Sequence, residues 1–268
     1  MIEMSFSISQ DLHIHTVLSE CCTDSGMTTE TIAAFARAHK YHEVCIADHV
    51  WSTSVNGSND WYRPQDIAHI SKSKPLPAIT GLSFYFGCEA EYLGGRKLSI
   101  TREEFDLFNF VIIPVNHMHM NDFVRPRDIY NTRGIAELVL TRLRELLCLD
   151  LPWNKVGIAH LSCPVMYAEG SVADVLDAMD REMLKEIFRG FALRGAGIEL
   201  NAGAFKEWDS RKDSLTAFYS IAAEVGCRFY LASDAHTTDN LNGILKELPN
   251  IVEALGLSED QKYHIPRE

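Results

Sequence analysis

The residues most able to do chemistry are histidines that stand in pairs or beside carboxylates. They are His13 and His15 in Asp11-Leu12-His13-Ile14-His15, His49 after Asp48, Glu89 in Gly87-Cys88-Glu89, and His117 and His119 in Asn116-His117-Met118-His119. His160 follows Ala159, and Asp234 and His236 close the series in Ser233-Asp234-Ala235-His236. Side chains alternate faces along a strand, so the one-residue gap in His13-Ile14-His15 sends both imidazoles to the same side. Two neutral imidazoles buried together leave ring nitrogens that need a cation or a carboxylate. Nitrogen and oxygen donors without thiolate pairs suit zinc, manganese or iron, so a multinuclear metal site is expected. His39, His42, His69 and His264 fall on helices or in the tail and read as solvated or locally bonded imidazoles.

The elements that must position these groups alternate. Short apolar runs at 11–16, 44–48, 84–91, 110–115, 156–161, 197–201 and 229–234 read as strands. Between them lie helical periodicities such as TTETIAAFARAHK, with a Thr N-cap signal and Glu30 close behind, IAELVLTRLRELLCLD, and SLTAFYSIAAEVG ending at Gly226. Repeated βα units without a Pro/Gly/Ser-rich linker predict one α/β domain over 1–268, a closed or nearly closed barrel, with an open doubly wound sheet as the alternative. In a barrel the C-terminal strand ends form the active-site face, and that is where the seven motif histidines fall. The stretches 52–60 and 71–81 read as long loops.

Composition narrows the function. The chain has 268 residues and a formal net charge of −12, with no Lys/Arg run longer than two, which argues against long nucleic acids. No apolar stretch reaches membrane-spanning length, and the opening MIEMSFSISQ lacks a signal-peptide pattern, so a cytoplasmic protein with no membrane partner is expected. Seven cysteines without a CxxC pair fit neither a disulfide framework nor a zinc ribbon, and only Cys21 and Cys22 lie in polar surroundings.

The ordered motifs DLHIHT at 11–16, ADH at 47–49, GCE at 87–89, the His117 region, AH at 159–160 and SDAH at 233–236 resemble the PHP family, named for polymerase and histidinol phosphatase. The resemblance covers essentially the whole chain. It implies a distorted (β/α)7 TIM-like barrel holding two to three divalent metal ions, zinc, manganese or iron, and hydrolysing phosphate esters. Carried over motif by motif, it assigns His13, His15, Glu89 and Asp234 to one metal, with Glu89 bridging to a second held by His117 and His160. His49 and His236 take the third, and Glu89, Asp234 and His236 are the expected catalytic residues. His119 is a spare candidate, as ligand or substrate contact.

After the HxHT motif the chain departs from the family and reads Ser19-Glu20-Cys21-Cys22. Glu20 aligns with a carboxylate and Cys21 with a histidine; Glu20 is expected to complete the third site, with Cys21 or an unfilled position as the alternatives. Dications would also make the pocket of an acidic protein positive and draw in a small phosphate. A water shared between ions, its pKa lowered towards about 7, would be the nucleophile. Arg63, Arg96, Arg125 and Arg127 follow strands two to four on the correct side to grip phosphate, and Asn201 stands at its own strand end. Glu91, two residues beyond Glu89, is a candidate support for a ligand histidine, and Glu199, two residues before Asn201 and on the same side, has a buried ion pair as its alternative reading. The expected activity is hydrolysis of a small-molecule phosphate monoester, histidinol phosphate being one candidate. The alternatives are a phosphodiesterase or exonuclease acting on nucleoside bisphosphates or short oligonucleotides, and a non-catalytic metal-binding module.

Overall fold

The computed structural model describes residues 5–163, 172–205 and 208–267, so the first four residues of the opening segment lie outside it. Parallel strands β1 (Gln10–Ile14), β2 (Glu43–Ile46), β3 (His49–Val50), β4 (Ser83–Ala90), β5 (Phe110–Ile113), β6 (Val156–Ile158), β7 (Gly197–Asn201) and β8 (Arg228–Ala232) form one sheet. Its order is β1-β2-β4-β5-β6-β7-β8, with the two-residue β3 continuing beside β4. The ends meet: His15 N–H donates to the Ala235 carbonyl at 3.1 Å, and Asp234 N–H to the His13 carbonyl at 2.9 Å. The seven expected strands therefore form a nearly closed barrel, and the open-sheet alternative falls.

Helices α1 (Thr29–Ala38), α2 (Ile67–Ile70), α3 (Thr132–Leu146), α4 (Val172–Asp177), α5 (Arg181–Arg194), α6 (Ala202–Phe205), α7 (Trp208–Glu224) and α8 (Gly243–Ala254) connect the strands. Their starts are set by short polar caps: Thr28 accepts from Thr31 N–H, Asn131 from Gly134 N–H and Asp180 from Met183 N–H. Because helices cover the outside and side chains fill the inside, the strands are buried on both faces. Within β5, Phe110 and Ile112 join the interior cluster, while Val111 and Ile113 join the core beneath the helices. Among the described residues no helix is long and apolar enough to cross a membrane.

The N-terminal end of the barrel is plugged. Tyr263 donates its N–H to the Phe229 carbonyl at 2.8 Å and its hydroxyl to the Asn154 carbonyl at 2.6 Å, while Gln10 Nε2 donates to the Tyr263 carbonyl at 2.9 Å. Its ring packs with Phe110, Tyr230 and Ile265. This plug needs glycine in the wall: a Cβ on Gly157 would lie 2.4 Å from the Phe110 ring, and one on Gly197 2.9 Å from the rings of Tyr230 and Tyr263.

The strands end earlier than their apolar runs. β6 stops at Ile158 and β8 at Ala232, two residues short of His160 and Asp234, which adopt φ of 29° and 52°. Left-handed backbone at non-glycine residues costs ~1–3 kcal/mol and persists only where surroundings impose it. Here it takes two motif residues out of the ladder and turns them over the barrel mouth.

Candidate metal centre

Everything at the C-terminal end converges on Glu89, the penultimate residue of β4 and 1% exposed. Its Oε2 lies 3.3 Å from His13 Nε2, 3.4 Å from His15 Nε2 and 3.1 Å from His49 Nδ1. Its Oε1 lies 2.9 Å from His160 Nε2 and 3.5 Å from His117 Nε2. One carboxylate thus presents each oxygen to a different set of imidazoles. Three groups of possible ligand atoms result among the described residues: His13, His15 and Asp234; Glu89, His117 and His160; and His15, Cys21, His49 and His236.

The outer nitrogens of these rings are held. His13 Nδ1 meets Glu199 Oε2 at 2.9 Å, and Glu199 also accepts from Tyr230 hydroxyl at 2.8 Å and from His160 N–H at 3.0 Å. His15 Nδ1 meets Ser19 Oγ at 3.0 Å, and that hydroxyl donates to Asp48 at 2.7 Å. His117 Nδ1 pairs closely with Glu91 Oε2, which also accepts from the Tyr62 hydroxyl at 2.8 Å. His160 Nδ1 meets Asn116 Oδ1 at 3.2 Å, and His236 Nδ1 meets the Asp234 carbonyl at 2.8 Å. A bond at one ring nitrogen fixes the tautomer and aims the other nitrogen inward, the outer arrangement typical of metal-binding histidines.

The electrostatics call for positive charge. Burial would lower the pKa of His13, but Asp234, Glu199 and Glu89 outweigh it and raise the group well above its ordinary value. Against the same burial, hydrogen bonds donated to Asp234 and Glu89 raise His15 to about 9, and Glu91 raises His117 to about 9. Burial pushes up Glu89 and Asp234, yet the surrounding imidazoles hold both carboxyls well below their usual range. Burial holds His49 well below its ordinary value, and burial with the His15 charge lowers His236 to about 4. Buried carboxylates thus retain protons on neighbouring imidazoles, and divalent cations would meet the same demand while displacing them. His49 Nδ1 is buried and in no hydrogen bond. Donor types, grouping and this orphan nitrogen fit resident divalent metal.

Above the groups opens a cavity of about 670 Å³. Asn201 and His119, both expected substrate contacts, line it, and Asn201 Nδ2 donates to Glu199 at 2.8 Å and Asp234 at 3.1 Å. The four arginines do not line it. Arg63 pairs with Asp60 at 2.7 Å and Arg127 pairs with Asp122, both on the surface, while exposed Arg96 borders a separate shallow depression. Arg125 is buried in its own loop, donating to the carbonyls of Met118 and Ile129 at 2.9 and 2.8 Å and to Asn121. The sequence order placed these loops on the correct side, but local carboxylates and carbonyls take up the guanidinium groups. Glu20 likewise stands outside the ligand groups: it is exposed, and its N–H donates to Gln65 Oε1 at 2.9 Å. Cys21 turns inward instead. Burial, with Glu89 and Asp234 nearby, raises its thiol pKa. Trp61, Tyr62, Asp239, Lys246 and Glu247 also line the cavity and carried no sequence signal, since they come from loops and a helix start whose paths a strand pattern does not reveal.

This fold and this floor define a TIM-like barrel metallohydrolase. The PHP domain model matches residues 11–203; the chain belongs to the PHP family and is a metal-dependent phosphoester hydrolase. No curated protein matches it. Among solved structures it is similar to histidinol phosphate phosphatase from Lactococcus lactis subsp. lactis Il1403, solved with zinc, L-histidinol and phosphate. The identity is 15%, the TM-score 0.64, and the match covers 96% of this chain and 98% of that one, a likeness of fold. An uncharacterized protein, 12% identical with a TM-score of 0.34, matches over 96% of this chain and 76% of its own.

Proposed function

We propose that this protein hydrolyses a small-molecule phosphate monoester, with Glu89 bridging two metal positions, one completed by His13, His15 and Asp234 and the other by His117 and His160. The observation that carries this reading is the division of Glu89: each oxygen faces its own imidazole set at the floor of a cavity of about 670 Å³. That volume suits a small ligand rather than a polymer. Bound ions would supply an acidified water and neutralise charge on the phosphoryl oxygens.

The chain's own groups do the rest. Glu199, Glu91, Ser19 and Asn116 hold the ligand rings rigid, so the floor needs little rearrangement when substrate arrives. His119 on the wall is the side chain offered to the phosphoryl group, while Asn201 steadies Glu199 and Asp234 through its two amide hydrogens and His236, next to Asp234, lines the cavity. Among the described lining residues Lys246 is the one lysine or arginine, and at the rim it would attract the anionic substrate. Trp61, edge-on to His49 at 5.0 Å between centroids, and Tyr62 form an apolar wall for the leaving group. The similar solved structure was determined with L-histidinol and phosphate, so histidinol phosphate is the first substrate to offer.

The test offers histidinol phosphate, an aryl phosphate, a nucleoside bisphosphate and a short oligonucleotide to zinc- or manganese-loaded protein. Phosphate release from a monoester, abolished by chelation with metal loss verified, is the expected result. Cleavage of the oligonucleotide alone would replace this reading with the phosphodiesterase one, and release from none of the four would favour a binding module.

A further inference from the structure

One of the three groups differs in chemistry from the two that share Glu89, because it contains a thiol. Sγ of Cys21 and one nitrogen each of His15, His49 and His236 lie within 4.8 Å of one another. His15 is already committed: its Nδ1 meets Ser19, and its Nε2 lies 3.2 Å from Asp234 Oδ1 and 3.4 Å from Glu89 Oε2. An imidazole nitrogen has a single lone pair for one ion, so His15 belongs with His13 and Asp234. One thiol and two imidazoles remain, and all three side chains line the cavity, whereas His13 and His15 do not.

Two further observations bear on the group. His49 Nδ1 is buried, 3.1 Å from Glu89 Oε2, and in no hydrogen bond, as expected of a donor whose electrophile is a metal ion. Glu20, the neighbouring oxygen donor, is exposed, and the hydrogen bond from its N–H to Gln65 fixes the turn that brings Cys21 inward. Cys22 points elsewhere: its Sγ donates to the His236 carbonyl at 3.1 Å.

We infer that Cys21, with His49 and His236, holds a third metal ion facing the cavity, and that its sulfur makes this position selective for zinc over manganese or magnesium. The inference rests on the proposed phosphoesterase reading and assigns one residue of that same site. On binding, the S–H bond gives up its proton to solvent and the sulfur lone pair joins the metal. Thiolate is a soft ligand, which manganese and magnesium accept poorly. Three protein ligands are the complement of catalytic rather than structural zinc sites, and all three side chains here line the cavity.

Titration of metal-free protein with cobalt(II) tests the assignment without any assay of turnover. The expected result is a thiolate-to-cobalt charge-transfer absorption that persists in Cys22→Ala and vanishes in Cys21→Ala. Elemental analysis of the zinc-loaded proteins should find one equivalent fewer in Cys21→Ala than in the wild type. Cys21→His should restore that equivalent without the absorption, which separates lost ligation from a damaged fold. In zinc–manganese mixtures the wild type should retain one equivalent of zinc that Cys21→Ala loses. An absent absorption in the wild type, full zinc content in Cys21→Ala, or loss of the equivalent in Glu20→Ala instead would overturn the inference while leaving the Glu89-bridged pair intact. If those two positions also fail to bind metal, the functional reading falls with it.

Discussion

The two ends of this barrel are built from the same strands and solve opposite problems. At the N-terminal end Tyr263, Phe110, Tyr230 and Ile265 fill the interior, and wall glycines allow the rings to approach the backbone. At the C-terminal end the strands stop short, and histidines and carboxylates occupy the equivalent space. The first end is closed by packing. The second concentrates buried charge that packing alone cannot satisfy, and its rings are held by an outer layer of Glu199, Glu91, Ser19 and Asn116. One fold can therefore hold an expensive polar floor because the opposite end is made of well-packed side chains.

Substitutions should separate the ends. The largest effect is expected from Glu89→Gln, because an amide offers one neutral oxygen where two charged ones serve two metal positions. Metal should be lost from both positions and turnover should fall by about 10³-fold or more, the equivalent of several kcal/mol. A Glu89→Gln protein with full metal content and near-normal turnover would remove the distinction between the ends.

Next in size is the response to pH. His15 and His117 hold protons up to about 9 in the metal-free protein, against an ordinary value of 6.5. Their raised values stabilise that form fully below about 6.5, and the contribution is lost as pH rises through about 9. Metal ligation requires the protons to leave, so affinity should rise over the same interval, by up to about tenfold per pH unit for each proton displaced. Melting curves of metal-free and zinc-loaded protein should diverge between pH 7 and about 9, and parallel curves would show that these imidazoles do not bind metal.

Glu199→Gln should lower metal affinity by about 10–100-fold, since it loosens the ring of His13 and leaves the strand intact. Competition with a chromogenic chelator reads this directly. At the opposite end, Gly157→Ala should cost about 1–3 kcal/mol in denaturant unfolding through overpacking against Phe110 and Tyr230, with metal content unchanged. Loss of metal in this variant would show that the ends are coupled. The smallest effect belongs to Arg63→Ala, whose exposed pair with Asp60 is away from the cavity, so KM should hold within about twofold, whereas Lys246→Ala should raise KM several-fold.

Much of this architecture is legible in the sequence. Period-two spacing in His13-Ile14-His15 and the alternation of apolar runs with amphipathic helices are local properties, and the barrel and its functional end follow from them. Glu91 was legible as support for a ligand ring, because period-two spacing from Glu89 aims it to the same side, although β4 itself ends at Ala90. The arginines were misleading: a loop on the correct side does not say whether its guanidinium reaches the cavity or, as with Arg125, binds the loop's own carbonyls.

The sequence by itself determined the residue types at the strand ends and the side of the barrel on which they meet, because both depend on periodicities of two and 3.6 residues along a single stretch of chain. Only the tertiary structure decided which of Glu20 and Cys21 turns inward, which oxygen of Glu89 faces which histidines, and that Lys246 at the start of α8 reaches the rim. Those outcomes depend on the closure of β8 against β1, the anchoring of a turn by Gln65, and the left-handed backbone at His160 and Asp234. The first two are contacts between segments far apart in sequence, and the left-handed residues are tied by such contacts too, His160 N–H to Glu199 and Asp234 N–H to the His13 carbonyl, so no local pattern encodes the geometry.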